Sequence, residues 1–235
     1  MIRKATSEAV GTAFLLATVV GSGIMGERLA GGNVAIALLA NTVATGAGLV
    51  ALILTFGPIS GAHFNPVVTL ADAWEGSRPW SDVPTYILAQ VLGALVGVAV
   101  AHGMFGEPVF AASQHVRSGS AQLLSEFVAT FGLLSVIWGV SRKSAQFTPF
   151  AVGAYITAAY WFTSSTSFAN PAVTLARSLT DTFSGIRPAD APGFIVAQVA
   201  GALAATALFR FLVPVRGTTA EVPIVDAATT DKEAA

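Results

Sequence analysis

Six stretches of the chain, roughly residues 6–26, 33–56, 84–105, 120–140, 147–163 and 192–213, approach the length of about 20 mostly apolar residues that crosses a hydrocarbon core. Inside a bilayer the backbone finds no water to bond, so each run must satisfy its own amides as a helix. The fifth stretch is short. Two further apolar pieces, about 65–74 and 170–180, extend only about 15 Å as helices, half of the core, and cannot span alone. Only 11% of the 235 residues are charged, against about a quarter in soluble domains, which leaves an all-α membrane protein.

Charge and residue usage exclude several functions. Twelve Lys and Arg against 13 Asp and Glu supply no basic face for a nucleic-acid partner. With no cysteine there is no disulfide, thiolate metal site or cysteine nucleophile, and no catalytic residue, metal or cofactor is expected. The first apolar run follows Arg3 and Lys4, but "LLATVVGSGIMGE" offers no small-x-small cleavage site, so it is expected to stay as the first helix. Arg3, Lys4, Arg78, Arg142, Lys143, Arg216 and Lys232 fall on one side of six spans and Arg28, Arg117 and Arg187 on the other; this predicts both termini in the cytoplasm of a protein of the inner or plasma membrane.

The two halves repeat one another. "SEAVGTAFLL" from Ser7 matches "SEFVATFGLL" from Ser125, "NPVVTLA" matches "NPAVTLA", and "AQVLGAL" from Ala89 matches "AQVAGAL" from Ala197, at offsets of 118, 105 and 108 residues. Each half carries three spans, an odd number, so the second enters the membrane from the opposite face, as in many transport proteins. The expected organisation is a first repeat over 1–115, an inverted second repeat over 116–213, and a disordered cytoplasmic tail over 214–235 with little to bury.

Asparagine is a strong N-cap and proline is favoured at the first helical position, so Asn65-Pro66-Val67 and Asn170-Pro171-Ala172 each read as the start of a short helix. In an inverted pair these starts meet near the midplane, where irregular backbone is tolerated only against protein or a water-filled path. The facing N-termini, each carrying roughly half a positive charge, would repel cations and leave neutral solutes a low barrier. The asparagine amides can cap their own helices through oxygen and still present NH2 donors to a hydroxyl-bearing solute.

"SGAHFNPVVTL" and "SFANPAVTLA", within six spans and the repeated "SE" helix starts, resemble the aquaporin or major intrinsic protein family over about residues 5–213. The resemblance implies an aquaporin-like fold of six transmembrane helices plus two re-entrant half-helices in an inverted repeat. It further implies one pore per subunit in a homotetramer, the lipid bilayer and small neutral solutes as the other partners, and no enzymatic activity. It makes Glu8 and Glu126 buried carboxylates that hold the re-entrant loops, and His63 a hydrogen-bonded loop histidine. By the family's spacing the outer selectivity constriction falls at Thr45, Ala158, Ser167 and Val173.

Here the chain departs from the family pattern, because water-selective members carry arginine where this chain has Val173. With Thr45, Ala158 and Ser167 all small, the expected constriction is wide, uncharged and lined by two hydroxyls. Arg177, four residues beyond Val173 on the same helix face, either reaches back to the constriction or anchors the outer end of the half-helix, to Asp181 for instance. The expected function is therefore a passive channel for small uncharged solutes that also passes water. Metalloid hydroxides such as arsenous acid, glycerol and urea are the candidates, and "NPAVTLARSLTDTFSGI" is similar to bacterial aquaglyceroporin-like members associated with arsenic resistance. A secondary transporter, an orthodox water channel and a non-conducting structural membrane protein remain the alternatives.

Overall fold

The computed structural model describes residues 1–213, and over that range the secondary structure is helical, with eight α-helices. They are α1 (Ile2–Leu29), α2 (Val34–Ser60), α3 (Pro66–Trp74), α4 (Val83–Phe105), α5 (Ser120–Ser144), α6 (Thr148–Phe162), α7 (Pro171–Arg177) and α8 (Ala191–Leu212). The tail expected over 214–235, with Arg216 and Lys232, lies outside the described residues.

The six long helices correspond to the six apolar stretches, with α1 and α2 each running several residues past the sequence bounds. Helix α6 is the shortest of them at 15 residues, because the chain turns extended at Thr163 to begin its return into the bundle. The short helices α3 and α7 begin at the two Asn-Pro pairs, and each asparagine side chain caps its own helix.

The halves are assembled alike. Helix α1 packs on α2 and α4, α5 packs on α6 and α8, and α2 against α6 joins the two halves. Each short helix touches the last long helix of both halves, α3 on α4 and α8, and α7 on α8 and α4.

The repeated "AQV" words explain the closest crossings. A Cβ on Gly93 would stand 2.2 Å from the Ala9 carbonyl oxygen, and one on Gly201 would stand 2.5 Å from that of Phe127. Glycine at these two points lets α4 approach α1, and α8 approach α5, backbone to backbone, the usual way helices associate in lipid. Phe14, Leu39, Leu88, Leu124, Phe150 and Leu203 face outward, so the bundle presents an apolar belt of the kind a bilayer solvates.

Candidate functional site

Between the halves runs a cavity of about 260 Å³. Its wall includes Asp72 and His63 near the C-terminal end of α3, then Asn65 and Asn170 where α3 and α7 start, then Tyr160, Val173 and Arg177 toward the far end of α7. Apolar side chains of the long helices, among them Leu49, Ile53, Leu133, Ile137, Val152 and Ile156, complete it.

At the middle, the two re-entrant loops lock onto each other. Asn65 Nδ2 donates to the Ala169 carbonyl at 2.8 Å and Asn170 Nδ2 to the Phe64 carbonyl at 2.7 Å. Asn65 Oδ1 meanwhile accepts from Val67 N, and Asn170 Oδ1 from Ala172 N and Val173 N. One amide hydrogen of each asparagine is thus spent across the loops, and one remains for the lumen. Pro66, Val67, Pro171 and Ala172 are buried in the first turns of the half-helices.

Holding loops in this shape carries a cost, because Ala62, Phe64, Ser167 and Ala169 all adopt left-handed backbone with φ near +50°. Such residues are each strained by roughly 1–3 kcal/mol and persist only where the surroundings over-determine them. Two buried glutamates provide that. Glu8 accepts from His63 N at 3.0 Å, Phe64 N at 2.7 Å, Ser60 Oγ at 2.7 Å and Gln90 Nε2 at 2.8 Å. Glu126 accepts from Phe168 N and Ala169 N, both at 2.9 Å, and from Gln198 Nε2 at 2.6 Å.

The two glutamines then continue to matching threonines. Gln90 donates to Thr69 Oγ1, which donates to the Asn65 carbonyl, and Gln198 does the same through Thr174 to Asn170. The sequence displayed Gln90 and Gln198 inside its repeated words, but nothing about a lone repeat says what its glutamine bonds.

One mouth is charge-balanced. His63 Nδ1 lies 3.0 Å from Thr69 Oγ1 and its Nε2 lies 3.5 Å from Asp72 Oδ2. Arg78 Nε donates to the same Asp72 oxygen at 3.1 Å, and Arg78 Nη2 donates to the Ser60 carbonyl. His63 therefore both supports its loop and lines the cavity.

The other mouth differs from the sequence expectation in two ways. Ala158 is exposed on the outer face of α6 and does not line the cavity. The lumenal face of α6 runs Thr148, Val152, Ile156 and Tyr160, one residue per turn, which turns residue 158 to the far side. The family's spacing puts residue 158 at the lumen, which would need α6 turned about 200° from the face that carries Thr148, Val152 and Ile156. Tyr160 takes the lumenal position, 3% exposed, and its hydroxyl donates to Thr45 Oγ1 at 3.3 Å. The phenol, bonded to a residue of the neighbouring helix α2, gives the cavity wall an aromatic ring where the sequence led us to expect only small side chains.

The second difference is charge where none was expected: Arg177, taking the first of the two placements the sequence left open, is 2% exposed, lines the cavity and lays its guanidinium carbon 3.4 Å above the Phe168 ring centroid. Its Nε donates to the Ser184 carbonyl. No ion pair to Asp181 forms, since that carboxylate instead accepts from Gln114 N at 2.8 Å. Thr45, Ser167 and Val173 line the same cavity, so the passage keeps hydroxyls but gains an aromatic ring and a cation. A second guanidinium, Arg117, lies 5.1 Å from the same Phe168 centroid. Beyond it, in the connecting loop, the hydrogen bond from Arg187 holds the Asp190 carboxyl below its ordinary range.

Comparison with known proteins agrees with this architecture. The family model described as Major intrinsic protein matches residues 1–169 and 143–233. The chain is 55% identical over 212 residues to "Aquaglyceroporin AqpS" of Rhizobium meliloti (strain 1021), covering 90% of this chain and 91% of that protein. It is 36% identical over 160 residues to "Aquaporin NIP1-1" of Zea mays, covering 66% of this chain and 56% of that longer protein. Among solved structures, the aquaglyceroporin from Plasmodium falciparum superimposes with a TM-score of 0.68 over 89% of this chain and 94% of that one, at 23% identity, a likeness of fold.

Proposed function

This chain belongs to the major intrinsic protein family, whose members are multi-pass membrane channels for small solutes and not enzymes, and from that premise we propose that it conducts small neutral polyhydroxylated molecules. Glycerol is the reference solute, with undissociated metalloid hydroxides such as arsenous acid, and urea, in the same size class, and water passes with them. The observation that carries the reading is the mixed lining of one cavity, to which Tyr160, Thr45 and Ser167 bring hydroxyls and Val173, Ile156 and the other apolar residues bring carbon. A polyol presents such a surface, hydroxyls on one edge and carbon on the other.

The mechanism follows from the centre outward. A solute exchanges water for the hydroxyls at the outer mouth and then for the free amide hydrogens of Asn65 and Asn170. The half-helix N-termini that meet there carry roughly half a positive charge each and oppose cations. Hydrogen bonds are replaced one at a time, so no step strips a neutral solute of all its partners.

Two further readings belong to the proposal. Four copies assemble with one pore each in the plasma membrane, and both termini face the cytoplasm, on the side of Arg3, Lys4, Arg78, Arg142 and Lys143.

Stopped-flow flux in proteoliposomes, comparing water, glycerol, urea and arsenous acid at neutral pH, tests this reading. Glycerol and arsenous acid are expected to enter by a non-saturating route that no ion gradient drives. Water permeation alone would return the chain to the orthodox water channels, and flux that requires a proton or sodium gradient would make it a transporter.

A further inference from the structure

Arg177 is a buried cation without an acid. Among the described residues no carboxylate lies within 4 Å of it, and only its Nε makes a hydrogen bond, leaving both terminal nitrogens unpaired at the cavity wall. The acids nearby are all committed elsewhere: Glu126 to two loop amides and Gln198, Asp181 to Gln114, and Asp190 to Arg187 and the Arg117 amide. Arg117, on the same phenylalanine, adds a second positive charge and spends its own donors on the Gly185 and Ser165 carbonyls.

An independent observation points to the same cavity. Ser167, 3% exposed, lines the cavity, and its hydroxyl is one of eleven buried side-chain polar atoms without a hydrogen-bond partner among the described residues. A buried hydroxyl and two guanidinium nitrogens left unmet within one cavity wall constitute a donor set awaiting oxygens.

We propose that Arg177 and Ser167 form a binding station for small oxyanions at the outer mouth, and that an anion held there obstructs the passage of neutral solutes. The guanidinium fork suits a planar anion presenting two oxygens. Leaving is unfavourable, because among the described residues no carboxylate neutralises Arg177 and the half-helix N-termini at the centre add positive potential, so the surroundings hold a negative charge. The anion is therefore retained, and flux falls while it stays.

The flux consequence rests on the channel reading, whereas anion binding does not, so the experiment has two arms. Nitrate is the probe, because it is planar and has no neutral form near pH 7. The first arm is glycerol entry into proteoliposomes in potassium nitrate against potassium gluconate of equal ionic strength. The second is thermal unfolding of the purified protein in detergent in the same salts.

Nitrate is expected to slow glycerol entry at least about twofold and to raise the Tm, as a charge-assisted ligand would. Arg177→Gln should lose both effects, and Arg177→Lys and Ser167→Ala should need about tenfold more nitrate, the loss expected for one charged hydrogen bond. If the glutamine variant does not fold, the lysine and alanine variants carry the test. Wild-type protein indifferent to nitrate in both arms, or a variant series with unchanged sensitivity, overturns the station. A Tm response that depends on Arg177 without any glycerol flux keeps the station and removes the solute reading.

Discussion

The two re-entrant halves meet at their asparagines as near copies and diverge toward their mouths. Glu8 with Gln90 and Thr69 on one side matches Glu126 with Gln198 and Thr174 on the other, bond for bond. Seven residues beyond the asparagine, however, Asp72 stands where the other half has Arg177, and His63 stands where it has Phe168. Asp72 is satisfied by Arg78, while among the described residues Arg177 meets only a ring face and one carbonyl. Duplication has kept most of what holds the loops in their strained shape and released what meets the solute, so chemical asymmetry is greatest at the two mouths.

The largest effect should come from breaking the shared part. Removing the carboxylate in Glu8→Ala leaves four donors unmet in a buried site and Glu126→Ala leaves three, each costing about 1–3 kcal/mol. Both losses are on the order of 5 kcal/mol, comparable with the whole stability of a domain. Little monodisperse protein should survive size exclusion in detergent, with the Glu8 variant the worse of the two. Equal and mild losses would mean that the loops hold their shape without these carboxylates.

A smaller effect is expected where the halves touch. Asn65→Asp and Asn170→Asp each replace an amide that donates to the opposite loop with a carboxylate facing that loop's carbonyl. The new charge offsets the positive ends of both half-helices, so monovalent cations should enter, read as conductance in planar bilayers. Because the two asparagines are placed alike, both variants should leak. If neither does, the facing helix ends do not set the ion barrier, and the cations at the Arg177 mouth become its sole source.

How much of this was legible in the sequence follows the same division. The duplicated words encode the scaffold, since Glu8, Glu126, Asn65, Asn170, Gly93 and Gly201 recur because the same bond or the same close crossing recurs. Six spans and two half-helices follow from length and capping, and the meeting of the Asn-Pro pairs follows from the inverted repeat. The mouths escaped because they depend on where a loop returns, which no periodicity records. Tyr160 could have been found from the four-residue spacing of Thr148, Val152 and Ile156 once the inward face of α6 was known. Arg177 was visible as a helix-face neighbour of Val173, but only the packing of Phe168 beneath it distinguishes a lumenal guanidinium from an anchor at the rim.

The smallest predicted effect tests that correction directly. Ala158 and Tyr160 lie two residues, hence about 200°, apart on α6, so only one of them can face the lumen. Ala158→Leu adds apolar surface to a side chain already exposed on the bundle's exterior, and such changes rarely exceed about 0.5 kcal/mol, so glycerol flux should stay within about twofold of wild type. Tyr160→Phe removes only the bond to Thr45 and should alter the ratio of glycerol to water flux modestly. Tyr160→Ala removes the ring and should admit four-carbon and five-carbon polyols that the parent excludes, with water flux changing least. The ordering discriminates because the family's spacing puts residue 158 at the constriction, whereas residue 160 is the one that lines the cavity. A leucine at 158 that halts glycerol, together with an alanine at 160 that changes nothing, would restore the register counted from the second Asn-Pro pair and would widen the outer mouth again.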